Sequence, residues 1–422
     1  MTSSAARPLW QGRTLALVGI VLFAFSLRSA VASLSPLFDH IAADFELPAA
    51  VIGLIGTAPP VCFAIFGLLT PALERRFGLE RLAVAAMVVV TAGLVARSLA
   101  PNSGLLLAGT ALVFAAVGTG NILLPPLVKR YFPDRIGLMT TLFSTTMAVA
   151  TFLPPLIAVP VADASDWHFS LGLWAVFALV AMVPWAGLAV RRGALEREER
   201  ARAADRVDGD ADDIDAPSPR AFARMWRLPL AWALLVSFAV SSTIAYTSFA
   251  WLPKLLVDVA GVTPAIAGVL LSLFGFMGLP ASLVVPLLVT RRNATRLLYG
   301  ISVTTGLVGV GGLLLAPAAA PALWVVMLGL APLLFPMILV LLGLRTRTHE
   351  GAVALSGFVQ SGGYAISALF PFGIGLLHDA TDSWTAPLVI LACVIAAAIP
   401  AGVVAARPHT VEDDWERRHG AW

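Results

Sequence analysis

The sequence predicts an all-α integral membrane protein, with twelve transmembrane helices arranged as two parallel six-helix repeats. Three observations lead there. Hydrophobic residues make up 59% of the 422 and charged residues 13%, with a mean hydropathy of +0.87; a soluble chain of this size is about a quarter charged. Twelve apolar runs approach or reach the length of about 20 residues that a helix needs to span a bilayer. The basic residues gather on one side of those runs.

The runs cover 14–36, 49–70, 82–99, 104–127, 137–160 and 169–190, then 228–252, 265–289, 296–316, 321–343, 352–377 and 385–406. The first follows Arg7 and Arg13 and is too long for a signal-peptide core, so it is expected to be retained as a span. With the N-terminus inside, the inner loops, both termini and the central segment hold 25 of the 28 Lys and Arg residues. Arg28, Arg97 and Lys254 are the exceptions, the last two near outer helix ends. Outer loops carry Asp39, Asp44, Glu46, Asp163, Asp166, Asp258, Asp379 and Asp382. That is the positive-inside pattern, and it places both termini in the cytoplasm of a multi-pass protein of the cell inner (plasma) membrane.

The stretch 191–227 is the one long hydrophilic segment, rich in Arg, Glu, Asp and Ala, and it cannot bury a core. It reads as a cytoplasmic linker with a surface helix between an N-terminal half, 1–190, and a C-terminal half, 228–422. The halves share spacings. Pro36 and Pro253, Arg130 and Arg347, Ser144 and Ser361, Pro154 and Pro371, and Trp167 and Trp384 each lie 217 residues apart. Gly53 and Gly268, Pro71 and Pro286, and Arg76 and Arg291 lie 215 apart. Each half has an even number of spans, so the repeats are parallel. Such a duplication puts a solute site near the midplane between the halves.

Segments of the chain resemble the major facilitator superfamily and, within it, the cyanate permease and 2-nitroimidazole transporter family. They are "SLRSAVASLSPL" in the first span, "GTGNILLPPLVKRYFPDRIGLMT" across the fourth and fifth, "LPLAWALLVSFAVSSTIAYTSFAWLPKLL" in the seventh and "LGLRTRTHEGAVALSGFVQSGGYAISALFPFGIGLLHD" across the tenth and eleventh. The superfamily's inner-loop signature after the second span survives only in part as "ALERRFGLERL", with Arg75 where an Asp is expected and Glu74 beside it. The resemblance implies alternating access and a cyanate-like or nitroimidazole-like solute.

Other chemistries find little support. Neither lysine, Lys129 or Lys254, ends a phosphate-cradling Gly-rich loop, and "HEGAV" at His349 lacks the second histidine of a zinc-protease helix. "GTGN" and "GVGG" lie inside apolar helices, where glycine serves close helix packing. Cys62 and Cys393 read as packing residues. A net charge of +3 gives no sign of a nucleic-acid partner. The chain is therefore expected to be no enzyme, to need no cofactor or metal, and to act as a monomer in the lipid bilayer on a small-molecule substrate.

Arg28 is the residue that most needs explaining. It lies fifteen residues into the first run, slightly beyond the midplane at about 1.5 Å per residue. Even lenient insertion scales charge about 3 kcal/mol for arginine there. Two readings stand. Either the guanidinium reaches outward to water or to carbonyls freed beside Pro36, or a mobile anion or electronegative solute completes it. No span core contains Asp or Glu, which favours the second. Tyr246 lies at the corresponding depth of the seventh span; Gln360 and Tyr364 share a face of the eleventh at i, i+4; Asn121 opens the "NILLPP" block of the fourth. These five residues are the candidate solute site, and each of the four partners could equally be interhelical glue. Phe23, Phe25, Phe276 and Trp251 could stack on a planar ligand or simply pack. Lys129, Arg130, Arg345 and Arg347 complement helix C-termini and could line an inner anion vestibule. With no acid or histidine in a span core, proton coupling is expected to be weak or borne by the substrate. Alternatives to a small-anion carrier are an exporter of amphipathic drug-like compounds and a receptor that senses a solute without moving it.

Overall fold

The computed structural model describes residues 13–132, 134–203, 219–292, 294–420 and 422. Residues 204–218 of the expected linker, and Arg7 ahead of the first run, lie outside the described residues. The first six expected spans correspond to α1 (Thr14–Ala32) with the short α2 (Phe38–Asp44), then α3 (Ala49–Phe77), α4 (Leu79–Ser98), α5 (Ser103–Tyr131), α6 (Ile136–Ala164) and α7 (Trp167–Ala203). After α8 (Pro219–Met225) come α9 (Pro229–Ala260), the broken pair α10 (Pro264–Phe276) and α11 (Gly278–Arg292), and α12 (Thr295–Leu315). Three further broken pairs follow: α13 (Pro321–Leu330) with α14 (Leu334–Leu344), α15 (His349–Ser367) with α16 (Leu369–Thr381), and α17 (Thr385–Ala396) with α18 (Ala398–Ala405). The tail forms α19 (Val411–His419). No strand occurs among the described residues.

Proline chemistry accounts for three of the four breaks. A proline ring crowds the carbonyl four residues earlier and cannot donate to it. Phe276, Ser367 and Ala396, the last residues of α10, α15 and α17, stand four residues before Pro280, Pro371 and Pro400. Among the described residues eleven helices are long and apolar enough to cross a membrane. The expected run 352–377 falls on α15 and α16 and is the one not among them.

Arg97 stands in the last turn of α4, at a helix end as expected. It is wholly buried. Its guanidinium donates to the Ala30 carbonyl at 3.1 Å and the Ser33 hydroxyl at 3.0 Å. The α1 helix stops at Ala32 because the 3₁₀ turn Ser35–Leu37 with Pro36 follows, so the freed carbonyl needs a donor. The role foreseen for Arg28 at those carbonyls belongs to Arg97. Arg97→Met keeps most of the volume but strips the donors. It should cost about 1–3 kcal/mol, seen as a lower melting temperature in detergent with solute affinity unchanged.

The buried apolar side chains form two clusters. One runs from Ala16 to Trp185 and takes in Tyr246. The other joins residues Met225 to Val411 with side chains near the end opposite the termini, including Leu34, Ile41, Ile52 and Val159. Extended packing between the first six spans and the last six runs through α3 with α9, α15 and α16, through α6 with α10 and α11, and through Ser35–Leu37 with α9 and α10. Glycines make the closest of these contacts. A Cβ on Gly53 would meet the Phe372 Cα at 2.8 Å and the Pro371 carbonyl at 3.0 Å. One on Gly268 would meet the Pro155 carbonyl at 2.8 Å. Gly53 and Gly268 are a same-offset pair, and Pro371 corresponds to Pro154, next to Pro155. Matching residues of the two halves thus meet in matching ways. The Gly53 and Gly268 contacts lie toward the end opposite the termini, where the two sets of spans pack against each other.

Candidate solute-binding site

Between the two sets of spans, three elements bring polar groups together. Arg28 sits on α1 at its half-buried level, where Phe23, Leu27 and Ala24 carry that helix into the core. Tyr246, buried on α9, has its hydroxyl beside the Arg28 guanidinium and the Tyr364 hydroxyl of α15. The three thus form one cluster contributed by both ends of the chain. Phe63 of α3 closes it from a further side. Its ring lies 6.2 Å from Tyr246 and 5.8 Å from Tyr364, edge-on to both. Tyr246 and Tyr364 are 6.3 Å apart, and Phe238 packs edge-on against Tyr364 at 4.9 Å. A cation beside two hydroxyl donors offers an electronegative solute charge-assisted and neutral hydrogen bonds at one place.

Gln360 stands one turn before Tyr364 on the same face and is half-buried. Asn121 is half-buried on α5, next to Gly120, which abuts Leu27 and so brings α5 to the level of Arg28. The Asn121 Oδ1 is buried and has no hydrogen-bond partner among the described residues. Gln360→Ala and Tyr364→Phe should raise the apparent KM by about three- to tenfold, the share of one or two hydrogen bonds, at nearly unchanged melting temperature. A fall in stability with unchanged KM would make both residues interhelical glue.

The stacking candidates are mostly packing. Phe23 is wholly buried, 6.0 Å from Trp185. Phe25 lies against Trp174 and Phe177, and Phe276 against Phe152. Trp251 is buried and donates to the Pro371 carbonyl at 2.8 Å. The aromatic that does reach the cluster, Phe63, carried no polar flag in its span. Its signal was the Gly53 and Gly56 face of α3, which brings that helix against α9 and α16.

Arg130, Arg345 and Arg347, at the end of the termini, have protein partners. Arg130 lies 3.3 Å from the buried Glu80 carboxylate, which also accepts from the Tyr131 hydroxyl at 2.7 Å. Arg345 donates to the Ala405 carbonyl at 3.0 Å, and Arg347 pairs with Asp413 and Glu416. At the opposite end the repeat shows again: the Trp167 indole donates to Asp44 at 2.5 Å and that of Trp384 to Asp258 at 2.9 Å.

A helical bundle of this design, its two sets of spans meeting around a half-buried cation, is a membrane carrier architecture. The sequence profile of the Major Facilitator Superfamily matches residues 17–356; the chain belongs to that superfamily and is a multi-pass membrane transporter. Its relatives include the 2-nitroimidazole transporter of Escherichia coli, 32% identical over 381 residues, 90% of this chain and 92% of that one. The cyanate transport protein CynX of the same organism is 24% identical over 374 residues, 87% and 91% of the two chains. An uncharacterized transporter of Bacillus subtilis, YycB, is 29% identical across 96% of both. The crystal structure of a D-xylose-proton symporter superposes with a TM-score of 0.65 over 94% of this chain and 98% of that one at 14% identity, a likeness of fold alone.

Proposed function

We propose that this transporter carries a small anionic or polarised planar solute, cyanate-like or nitroimidazole-like, by alternating access. The solute is held by Arg28, Tyr246 and Tyr364, with Gln360 and Asn121 lining the same cavity. The observation that carries this is the cluster of Arg28 with both tyrosine hydroxyls, with Phe63 edge-on to both tyrosine rings. A cation held near the midplane by two neutral hydroxyls keeps an unmatched positive charge, and an electronegative solute supplies the match. The relatives that transport 2-nitroimidazole and cyanate support the same solute class.

The halves 1–190 and 228–422, joined by 191–227, act as the two rocking bodies; the symmetric glycine contacts between them support that division. Both termini lie on the cytoplasmic side of the inner membrane, on the grounds of the basic loops. The working unit is a monomer.

A thermal-stability screen of purified protein against small anions, nitro-aromatics, carboxylates and amphipathic drugs tests the reading. A ligand at 100 times its Kd stabilises by about 2.7 kcal/mol. Anions or nitro-aromatics should raise the melting temperature of the wild type and leave that of Arg28→Ala unmoved. A response confined to amphipathic drugs and indifferent to Arg28 would overturn it in favour of a drug exporter.

A further inference from the structure

The tail helix α19 is tied to the molecule more firmly than a solvated terminus needs. Glu412 is wholly buried although it lies only two residues past the Thr410 cap. Its Oε1 accepts from the Thr348 backbone N–H at 3.1 Å and the Thr348 hydroxyl at 2.9 Å, and its Oε2 from the Arg347 N–H at 3.1 Å. Thr348 is the N-cap of α15, and its hydroxyl oxygen accepts from the Gly351 N–H at 2.9 Å. A hydroxyl has one proton. Glu412 takes it, which leaves the lone pair aimed at Gly351 and fixes the cap. Gly351 makes room for this arrangement: a Cβ there would fall against the Glu412 carboxylate. The negative charge also sits at the positive end of the α15 dipole.

Around that contact stands a second ring of ties. The Val411 N–H donates to the Arg345 carbonyl at 2.9 Å. Arg347 lies 3.2 Å from Asp413 and 2.6 Å from Glu416. Thr410 and Asp413 form a capping box that starts α19, and those hydrogen bonds hold the Asp413 carboxyl below the usual carboxylate range. The Arg224 guanidinium of α8 lies 5.1 Å from the Trp415 ring and 5.0 Å from that of Trp422. The helix that precedes the seventh span is thereby bound to the same tail.

We infer that Glu412 is a positioning residue for transport: carried on α19, its carboxylate seats on the N-terminus of α15 and fixes the helix that presents Gln360 and Tyr364. The inference rests on the placement of those two residues at the solute site. Twelve residues separate Thr348 from Gln360, about 18 Å of rigid helix, so a tilt at the cap is carried to the site.

The test is Glu412→Gln, whose amide N–H₂ faces donors where the carboxylate accepted, with Glu412→Asp as the conservative variant and Arg347→Gln as a milder one that keeps the buried carboxylate. Hydrogen exchange by mass spectrometry is followed across the chain. Uptake of cyanate and 2-nitroimidazole into proteoliposomes gives KM and kcat for each variant. Glu412→Gln should speed exchange over 348–358 by about tenfold, a local opening, with other spans unchanged. KM should rise several-fold at nearly constant kcat. Arg347→Gln should move both readings less, and Glu412→Asp should restore part of each. Unchanged exchange over 348–358 would overturn the inference, as would a uniform loss of protection with KM unmoved, which marks a purely structural tail. If the wild type moves neither probe, the solute reading fails, and the exchange data still decide whether Glu412 fixes α15.

Discussion

Arg28→Ala should come close to abolishing solute uptake at equal membrane expression, and Arg28→Lys should retain a part of it. A guanidinium makes paired, coplanar hydrogen bonds, whereas an ammonium is a point charge on a flexible stem. Losing two charge-assisted hydrogen bonds costs about 3 kcal/mol, about 100-fold in apparent affinity. The lysine variant keeps the charge and loses the planar geometry, so a loss of about tenfold is expected. Arg28 is half-buried and its neighbours are the neutral hydroxyls of Tyr246 and Tyr364, so its removal leaves no orphaned carboxylate behind. The folded protein should therefore survive, with a melting temperature near that of the wild type. Normal uptake by Arg28→Ala would remove the anion site from the account.

The second large effect is conformational. Val in place of Gly53 or Gly268 puts a branched side chain where Phe372, Pro371 or Pro155 backbone atoms already stand within about 3 Å of a bare Cβ. Backbone cannot yield as a flexible side chain can, and overpacking of this kind costs about 1–3 kcal/mol or more. The cost falls only on the state in which these contacts are made, so each variant should shift the population toward the alternative state and slow uptake by about tenfold or more. Thr57, whose hydroxyl donates to the Ala368 carbonyl at 2.9 Å in this seam, reports on it. A cysteine placed at Thr57 should react with a membrane-impermeant maleimide faster in the Gly268→Val background. Unaltered labelling and normal uptake would mean that the seam does not open during transport.

Much of this architecture is written in local chemistry. Apolar runs of helical length and a one-sided distribution of Arg mark the spans, because the bilayer leaves no other place for either. The helix breaks before Pro280, Pro371 and Pro400 were not legible, because prolines such as Pro125, Pro154 and Pro253 lie inside continuous helices. The cluster of Arg28, Tyr246 and Tyr364 could be approached from depth and repeat offset, since those fix height along the membrane normal. What hydropathy leaves open is the direction each helix face points. Phe23 and Trp251 have the right depth and turn into packing, while Phe63 reaches the cluster through a rotation of α3 set by Gly53 and Gly56. Arg97 is a similar case. Its position near a helix end was legible, and only the fold shows that α1 stops beside it and supplies its hydrogen-bond acceptors. The latch of α19 on α15 joins segments 64 residues apart at Glu412 and Thr348, and no periodicity in either segment announces it.

Counterflow in proteoliposomes tests the central claim most directly. Vesicles loaded with unlabelled cyanate or 2-nitroimidazole and diluted into the labelled compound should show a transient internal overshoot with wild-type protein. The overshoot should vanish with Arg28→Ala. It needs no knowledge of the coupling ion, because exchange requires only that the loaded site face each side in turn. Saturable binding of the same solutes without any overshoot would contradict the carrier reading and make this chain a receptor built on a transporter fold.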